Sequence, residues 1–360
     1  VSTPLRYQIG KLMIAGLEGP ELTTTERAWL KLIRPGGVIL FRRNIEEAGQ
    51  TVRLLREATE IAGAPIFRCV DLEGGLVDRL RDLIAPMPSP ADVFATGKPA
   101  LYKNHGRLIG LEARRLGFNT VFAPVLDLAL AASSSVMRSR AVSSEPEQVT
   151  RYATAFLSGL AGEGILGCGK HFPGLGGGTL DSHHAMPVIK RSWNEMWQHD
   201  IAPFRALSKR LPLMMVAHAA YPNASKATAP ASVSPFWITE VLRNKLRYSG
   251  LIISDDMEMG GILTQRSMEE AAVEAVAAGT DLLEICKDPA LILRAYEALL
   301  SEAERSPAFR RKVLQAAGRV VSRKRQLRTQ SPKQPSIKTL EALRAQVRSL
   351  AQKITTNAPS

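Results

Sequence analysis

Gly169 to Pro187 reads GKHFPGLGGGTLDSHHAMP and gathers Lys170, His171, Asp181, His183 and His184 among its glycines. Asp181 and His183 stand two residues apart. At that spacing a carboxylate can hydrogen-bond one imidazole nitrogen and leave the other for a substrate, the arrangement of an acid/base dyad. An unperturbed imidazole titrates near neutrality, so it can donate and recover a proton at cellular pH. His184 is less well spaced from Asp181. The glycines suit a flap that brings a side chain over a ligand, and Gly174 to Thr179 is expected to close in this way. The G-x-x-x-x-G-K-[ST] order of a phosphate-cradling loop is missing.

A second group lies in Leu251-Ile252-Ile253-Ser254-Asp255-Asp256-Met257, where a buried apolar strand delivers two adjacent carboxylates to one place. Strand alternation sends neighbouring side chains to opposite sides, so one of the two faces the site at full extension. Asp255 shares parity with Leu251 and Ile253; Asp256 reads as a helix cap or an ion-pair partner.

These groups need elements to hold them. Eight short apolar runs recur: Gly10 to Ala15, Gly37 to Phe41, Pro65 to Val70, Thr120 to Val125, Ile165 to Gly169, Leu213 to Ala217, Gly250 to Ser254 and Asp281 to Cys286. Amphipathic stretches such as Ile45 to Ala62, Leu101 to Leu116, Pro146 to Glu163 and Ser267 to Ala278 separate them, with Asn44 and Ser267 as expected N-caps. The alternation predicts an α/β fold, and eight strand–helix units in about 300 residues favour a closed (β/α)8 TIM-type barrel over an open doubly wound sheet. In a barrel, chemistry collects just past the strand ends. Asp71 and Glu73 follow the third run, Asp127 the fourth, Lys170 and His171 the fifth, His218 the sixth, Asp255 and Asp256 the seventh.

With 45% hydrophobic and 22% charged residues, the chain has the composition of a globular enzyme. Gly, Pro or a charge interrupts every run short of the roughly 20 apolar residues a membrane helix needs, so no membrane insertion is expected. Val1 to Gly19 lacks a full apolar core with a cleavage site and reads as mature protein carrying a first strand. Cys69, Cys168 and Cys286 are far apart and odd in number, which predicts buried thiols in a reducing, cytoplasmic setting and no thiolate metal site. The net charge of +13 resides in the C-terminal stretch: residues 305–360 hold 14 Lys and Arg against one acid, while the first 304 residues hold 33 of each sign. A neutral body with a basic tail does not predict a nucleic-acid partner. Residues 1–320 therefore read as the barrel and 321–360 as a basic linker with a helix patterned by Ile337, Leu340, Leu343, Val347, Leu350 and Ile354. That helix either packs on the barrel or pairs with another copy.

From Gly10 to Arg319 the chain resembles glycoside hydrolase family 3, specifically the bacterial β-N-acetylglucosaminidases of peptidoglycan recycling. VDLEGGLVDRL from Val70, FAPVLDL from Phe122, KHFPG with the later DSH, and ISDDMEM from Ile253 are similar to the family's motifs. The resemblance implies a small-molecule sugar substrate, no cofactor, Asp255 as nucleophile and His183, supported by Asp181, as acid/base. It implies that Asp71, Arg79, Arg140, Lys170 and His171 bind the terminal sugar. Retention of configuration would follow. Leu76 and Leu175 depart from the family's Arg and His and remove polar groups expected near the pocket.

Three rival readings have their own signatures. A phosphorylase would use the same residues, since a neutral imidazole repels phosphate less than a second carboxylate does. An inactive sugar-binding relative would keep the pocket. A metal-dependent hydrolase using His171, His218 and Asp255 lacks the H-x-H or H-E-x-x-H spacing.

Overall fold

The computed structural model describes residues 3–63, 65–179, 186–327 and 334–356. Eight parallel strands close into a barrel: β1 (Met13–Gly16), β2 (Gly37–Leu40), β3 (Phe67–Val70), β4 (Thr120–Val121), β5 (Leu166–Phe172), β6 (Leu213–Val216), β7 (Leu251–Asp256) and β8 (Leu282–Ile285). Closure is made by β1, which pairs with β2 through Ile14↔Gly37 and with β8 through Met13↔Leu283.

The strands are largely apolar on both faces because both are covered. Ile14, Ile39, Phe67, Cys69, Cys168, Leu213, Leu251, Ile253 and Leu282 fill the barrel interior as one cluster. The alternate residues, among them Val38, Leu40, Val70, Val121, Ile252 and Leu283, pack outward against the helices. This is the near-continuous hydrophobic run expected of parallel strands buried on two sides.

The surrounding helices have local reasons to start where they do. Thr23 with Glu26, Ser192 with Glu195, and Ser267 with Glu270 form reciprocal capping boxes. Helices Pro99–Arg115 and Pro146–Gly162 cross at two glycines. A Cβ at Gly106 would fall 2.0 Å from the Phe156 carbonyl oxygen, and one at Gly159 would fall 2.1 Å from that of Lys103. Any side chain there would force the pair apart.

Three local expectations change. Residues Leu5–Gly10 form a short helix before β1, so the first strand begins later than Gly10. The fourth run stops pairing regularly after Val121, and Pro124, which has no N–H to give, lies in the irregular continuation that rejoins β5 at Val125↔Lys170. Asn44 is not an N-cap: its amide turns inward and donates to the Leu17 and Gly19 carbonyls, tying the loop after β1 to the loop after β2.

The three cysteines are buried and free. Helix Ile337–Thr355 lies against the barrel with Leu343, Val347, Leu350 and Ile354 in the main core. Among the described residues, no helix is long and apolar enough to cross a membrane.

Candidate active site

Inward parity, followed to the C-terminal ends of the strands and just beyond them, builds the site. Ile39 leads to Phe41, Cys69 to Asp71, Cys168 to Lys170, Leu213 to Met215, Ile253 to Asp255 and Leu282 to Glu284, and all six second members line one cavity of about 150 Å³. Asp255 is thus the inward member of its pair. Asp256 nevertheless reaches the cavity as well, where the β7–β8 register shifts between Leu282↔Ile253 and Glu284↔Asp256. Such an irregularity re-aims a side chain beside a site. The expectation for Asp256 is corrected accordingly: among the described residues it has no ion-pair partner, and its Oδ1 accepts the Glu258 N–H at 3.1 Å in a turn.

One wall is a network of opposite charges. Lys170 Nζ lies 2.8 Å from Asp71 Oδ1 and 2.7 Å from Glu73 Oε1. Arg140 donates through Nε and Nη2 to the two oxygens of Glu73, both at 2.8 Å. Arg79 Nη2 stands 3.6 Å from Asp71 Oδ2, with its guanidinium 5.6 Å from the centre of the Phe41 ring. Burial pushes the Glu73 and Asp71 carboxyls up, but Arg140 and Lys170 outweigh it at Glu73, and Lys170 with Arg79 at Asp71. Both therefore sit below the usual carboxylate range. Burial pulls the Lys170 ammonium down, and Asp71 and Glu73 more than reverse it. This wall stays fully ionised at neutral pH and offers charge-assisted donors and acceptors to hydroxyl groups.

His171 is oriented by Asp127. Asp127 Oδ2 is 2.7 Å from His171 Nδ1 and accepts the His171 backbone N–H at 3.1 Å, while Oδ1 accepts the Leu175 N–H at 2.7 Å. One buried carboxylate thereby fixes the imidazole, leaves Nε2 for the cavity, and anchors the start of the glycine-rich loop, which Tyr221 also holds through Gly174.

The facing wall carries Asp255, Asp256 and Glu284 with no cation paired to any of them among the described residues. Burial raises the Asp256 carboxyl to about 7, with Glu258 and Asp255 adding to the rise. Burial, then Asp71, Asp256 and Asp255, push Glu284 well up. Asp255 Oδ1 accepts the Asp256 N–H at 2.9 Å, which fixes the carboxylate against the strand end.

Of the residues singled out in the sequence, Asp71, Arg79, Arg140, Lys170, His171 and Asp255 meet in this cavity. Asp181 and His183 lie outside the described residues. His218 is not in the lining: its Nδ1 is 2.7 Å from Ser232 Oγ and its Nε2 3.0 Å from the Asp256 carbonyl, so both nitrogens are engaged. Leu175 lines the cavity, whereas Leu76 is 48% exposed and outside it. Sequence reasoning gave no role to Glu73, Asp127 or Glu284. Inward parity would have found Glu284, a lone acid within an apolar strand.

Residues 5–322 match the family model described as the glycosyl hydrolase family 3 N-terminal domain. A beta-hexosaminidase of Idiomarina loihiensis is 34% identical over 326 residues, covering 89% of this chain and 97% of the relative. One from Thioalkalivibrio sulfidiphilus is 37% identical over 304 residues, covering 82% and 86%. A solved glycoside hydrolase family 3 beta-N-acetylglucosaminidase from Paenibacillus superposes with a TM-score of 0.89 at 29% identity, over 99% of this chain and 69% of that one.

Proposed function

The chain belongs to glycoside hydrolase family 3, and from that membership we propose that it is a retaining exo-β-N-acetylglucosaminidase releasing terminal β-linked N-acetylglucosamine. The observation that carries the reading is the division of one small cavity into two walls. The charged network of Asp71, Arg79 and Lys170, with His171 beside it, can hold a hydroxyl-rich ring, and Asp255, which has no paired cation among the described residues, faces it. A cavity below the roughly 300 Å³ of ordinary ligand pockets suits one terminal sugar ring, which fits exo action.

In this reading Asp255 attacks the anomeric carbon, the glycosidic C–O bond breaks, and His183 protonates the leaving oxygen. His183, now neutral, takes a proton from water that displaces Asp255 from the sugar and regenerates the carboxylate. Asp181 supports His183, an assignment resting on the D-S-H motif. The relatives named beta-hexosaminidase support the acetamido sugar as substrate class. Peptidoglycan fragments as natural substrate rest on the motif resemblance, and a cytoplasmic setting on that resemblance together with the three unpaired cysteines.

The test is turnover of p-nitrophenyl β-N-acetylglucosaminide beside the β-glucoside by wild type, Asp255→Ala and His183→Ala, with and without phosphate. Turnover of the acetamido sugar alone, lost in Asp255→Ala, is expected. A sugar 1-phosphate product would replace hydrolysis by phosphorolysis, and no turnover by wild type would overturn the catalytic reading.

A further inference from the structure

Strand β8 reads Leu-Leu-Glu-Ile, and the barrel buries its one charged residue, leaving Glu284 3% exposed. Glu284 shares inward parity with Leu282 and lines the cavity beside Asp255 and Asp256. Its Oε1 accepts the Cys286 thiol at 3.1 Å, but its Oε2 is buried without a hydrogen-bond partner among the described residues. A buried oxygen without a partner is destabilising, a penalty that leucine of similar size would not incur. A molecule that enters the cavity can supply the missing partner.

Its neighbours narrow the choice. Asp71, Asp256 and Asp255 surround Glu284, and no cation is paired with it among the described residues, so an incoming hydroxyl meets little competition there. Asp71 is held by Lys170 and Arg79, and Asp255 faces the reacting carbon in the reading above. We infer that Glu284 is a specificity-determining residue whose Oε2 hydrogen-bonds a ring hydroxyl of the bound sugar, on the edge between Asp71 and Asp255. This rests on the glycosidase reading and extends it to a residue outside the motifs. A carboxyl that keeps its proton can donate to that hydroxyl as well as accept from it.

The experiment compares wild type, Glu284→Gln and Glu284→Leu on p-nitrophenyl β-N-acetylglucosaminide and on its monodeoxy versions, with circular dichroism to check folding. Glu284→Leu should lose at least about tenfold in kcat/KM on the parent sugar, and Glu284→Gln, which can still donate and accept, should stay within about threefold. On one monodeoxy substrate, wild type and the Leu variant should become equal, because the hydroxyl that Glu284 reads is gone. Glu284→Met serves as the apolar variant if the Leu protein does not fold. A folded apolar variant equal to wild type on the parent sugar would overturn the inference. So would a loss of the same size on every deoxy substrate, which a purely structural role gives. Absence of wild-type turnover on every sugar would instead remove the glycosidase reading, and this inference with it.

Discussion

Arg140 holds Glu73 through two parallel hydrogen bonds of 2.8 Å, and the same carboxylate lies 2.7 Å from Lys170 Nζ. Glu73 is 1% exposed, and its neutralisation would take from Arg140 its two charge-assisted bonds and leave Lys170 with Asp71 alone. Breaking such a pair costs about 3–5 kcal/mol. Glu73→Gln should lower the unfolding free energy, measured by urea denaturation at pH 7, by an amount of that order. The sign of its pH dependence follows from a carboxyl lowered in the fold: the stabilisation is complete above the unfolded value near about 4.3 and is lost as pH falls towards the folded value. The gap between wild type and variant should be constant above about pH 5 and close under more acid conditions.

Asp127 gives a prediction on catalysis. Its oxygens take the His171 ring, the His171 N–H and the Leu175 N–H, so Asp127→Ala frees the imidazole and the start of the glycine-rich loop together. Misplacement by about 1 Å can cost on the order of a hundredfold. We expect kcat/KM on the aryl acetamido sugar to fall at least about tenfold, with part of the loss recovered in Asp127→Asn, which keeps acceptor capacity. Equal kinetics for wild type and Asp127→Ala would show that His171 needs no orienting group.

Asp256 behaves oppositely to Glu73 with pH. Its carboxyl is raised to about 7 in the fold, chiefly by burial, so the native state binds a proton that the unfolded chain releases near about 3.9. Stability is greatest below the unfolded value and falls as pH rises between the two, because there the native state holds more protons. Asp256→Asn removes this dependence. Relative to wild type, the variant should gain stability from pH 5 to pH 8, and chemical denaturation at those two pH values checks it; a constant difference would contradict the assignment.

The fold was legible because each strand is an apolar run and each helix has a face, and the six residues that meet in the cavity could be picked out by strand end or by motif. Parity separated Asp255 from Asp256 only once Leu251 and Ile253 were known to point into the barrel. The bulge that also turns Asp256 inward depends on the register with β8, which no local pattern encodes. Glu73 and Asp127 escaped a role because their partners, Arg140 and His171, lie 67 and 44 residues away. Asn44 looked like a cap by type and place, but two loop carbonyls needing donors won its amide.

The C-terminal helix tests packing against pairing. Leu343, Val347, Leu350 and Ile354 recur on one helical face and are all buried in the main core. Arg344 adds two hydrogen bonds to the Leu83 carbonyl, and Arg107 reaches Gln346. Each fully buried aliphatic side chain contributes roughly 1.5–3 kcal/mol by area, an upper bound because the unfolded chain is itself partly compact. Ending the chain after Ser336 should therefore lower stability by several kcal/mol. The cavity residues all precede Pro289, so KM should be preserved at temperatures where the shortened protein remains folded. A dimerisation helix would give the other pattern, with little change in denaturation midpoint at low protein concentration and a halved mass by light scattering. The burial of all four apolar residues against the helix's own chain favours loss of stability without change of mass.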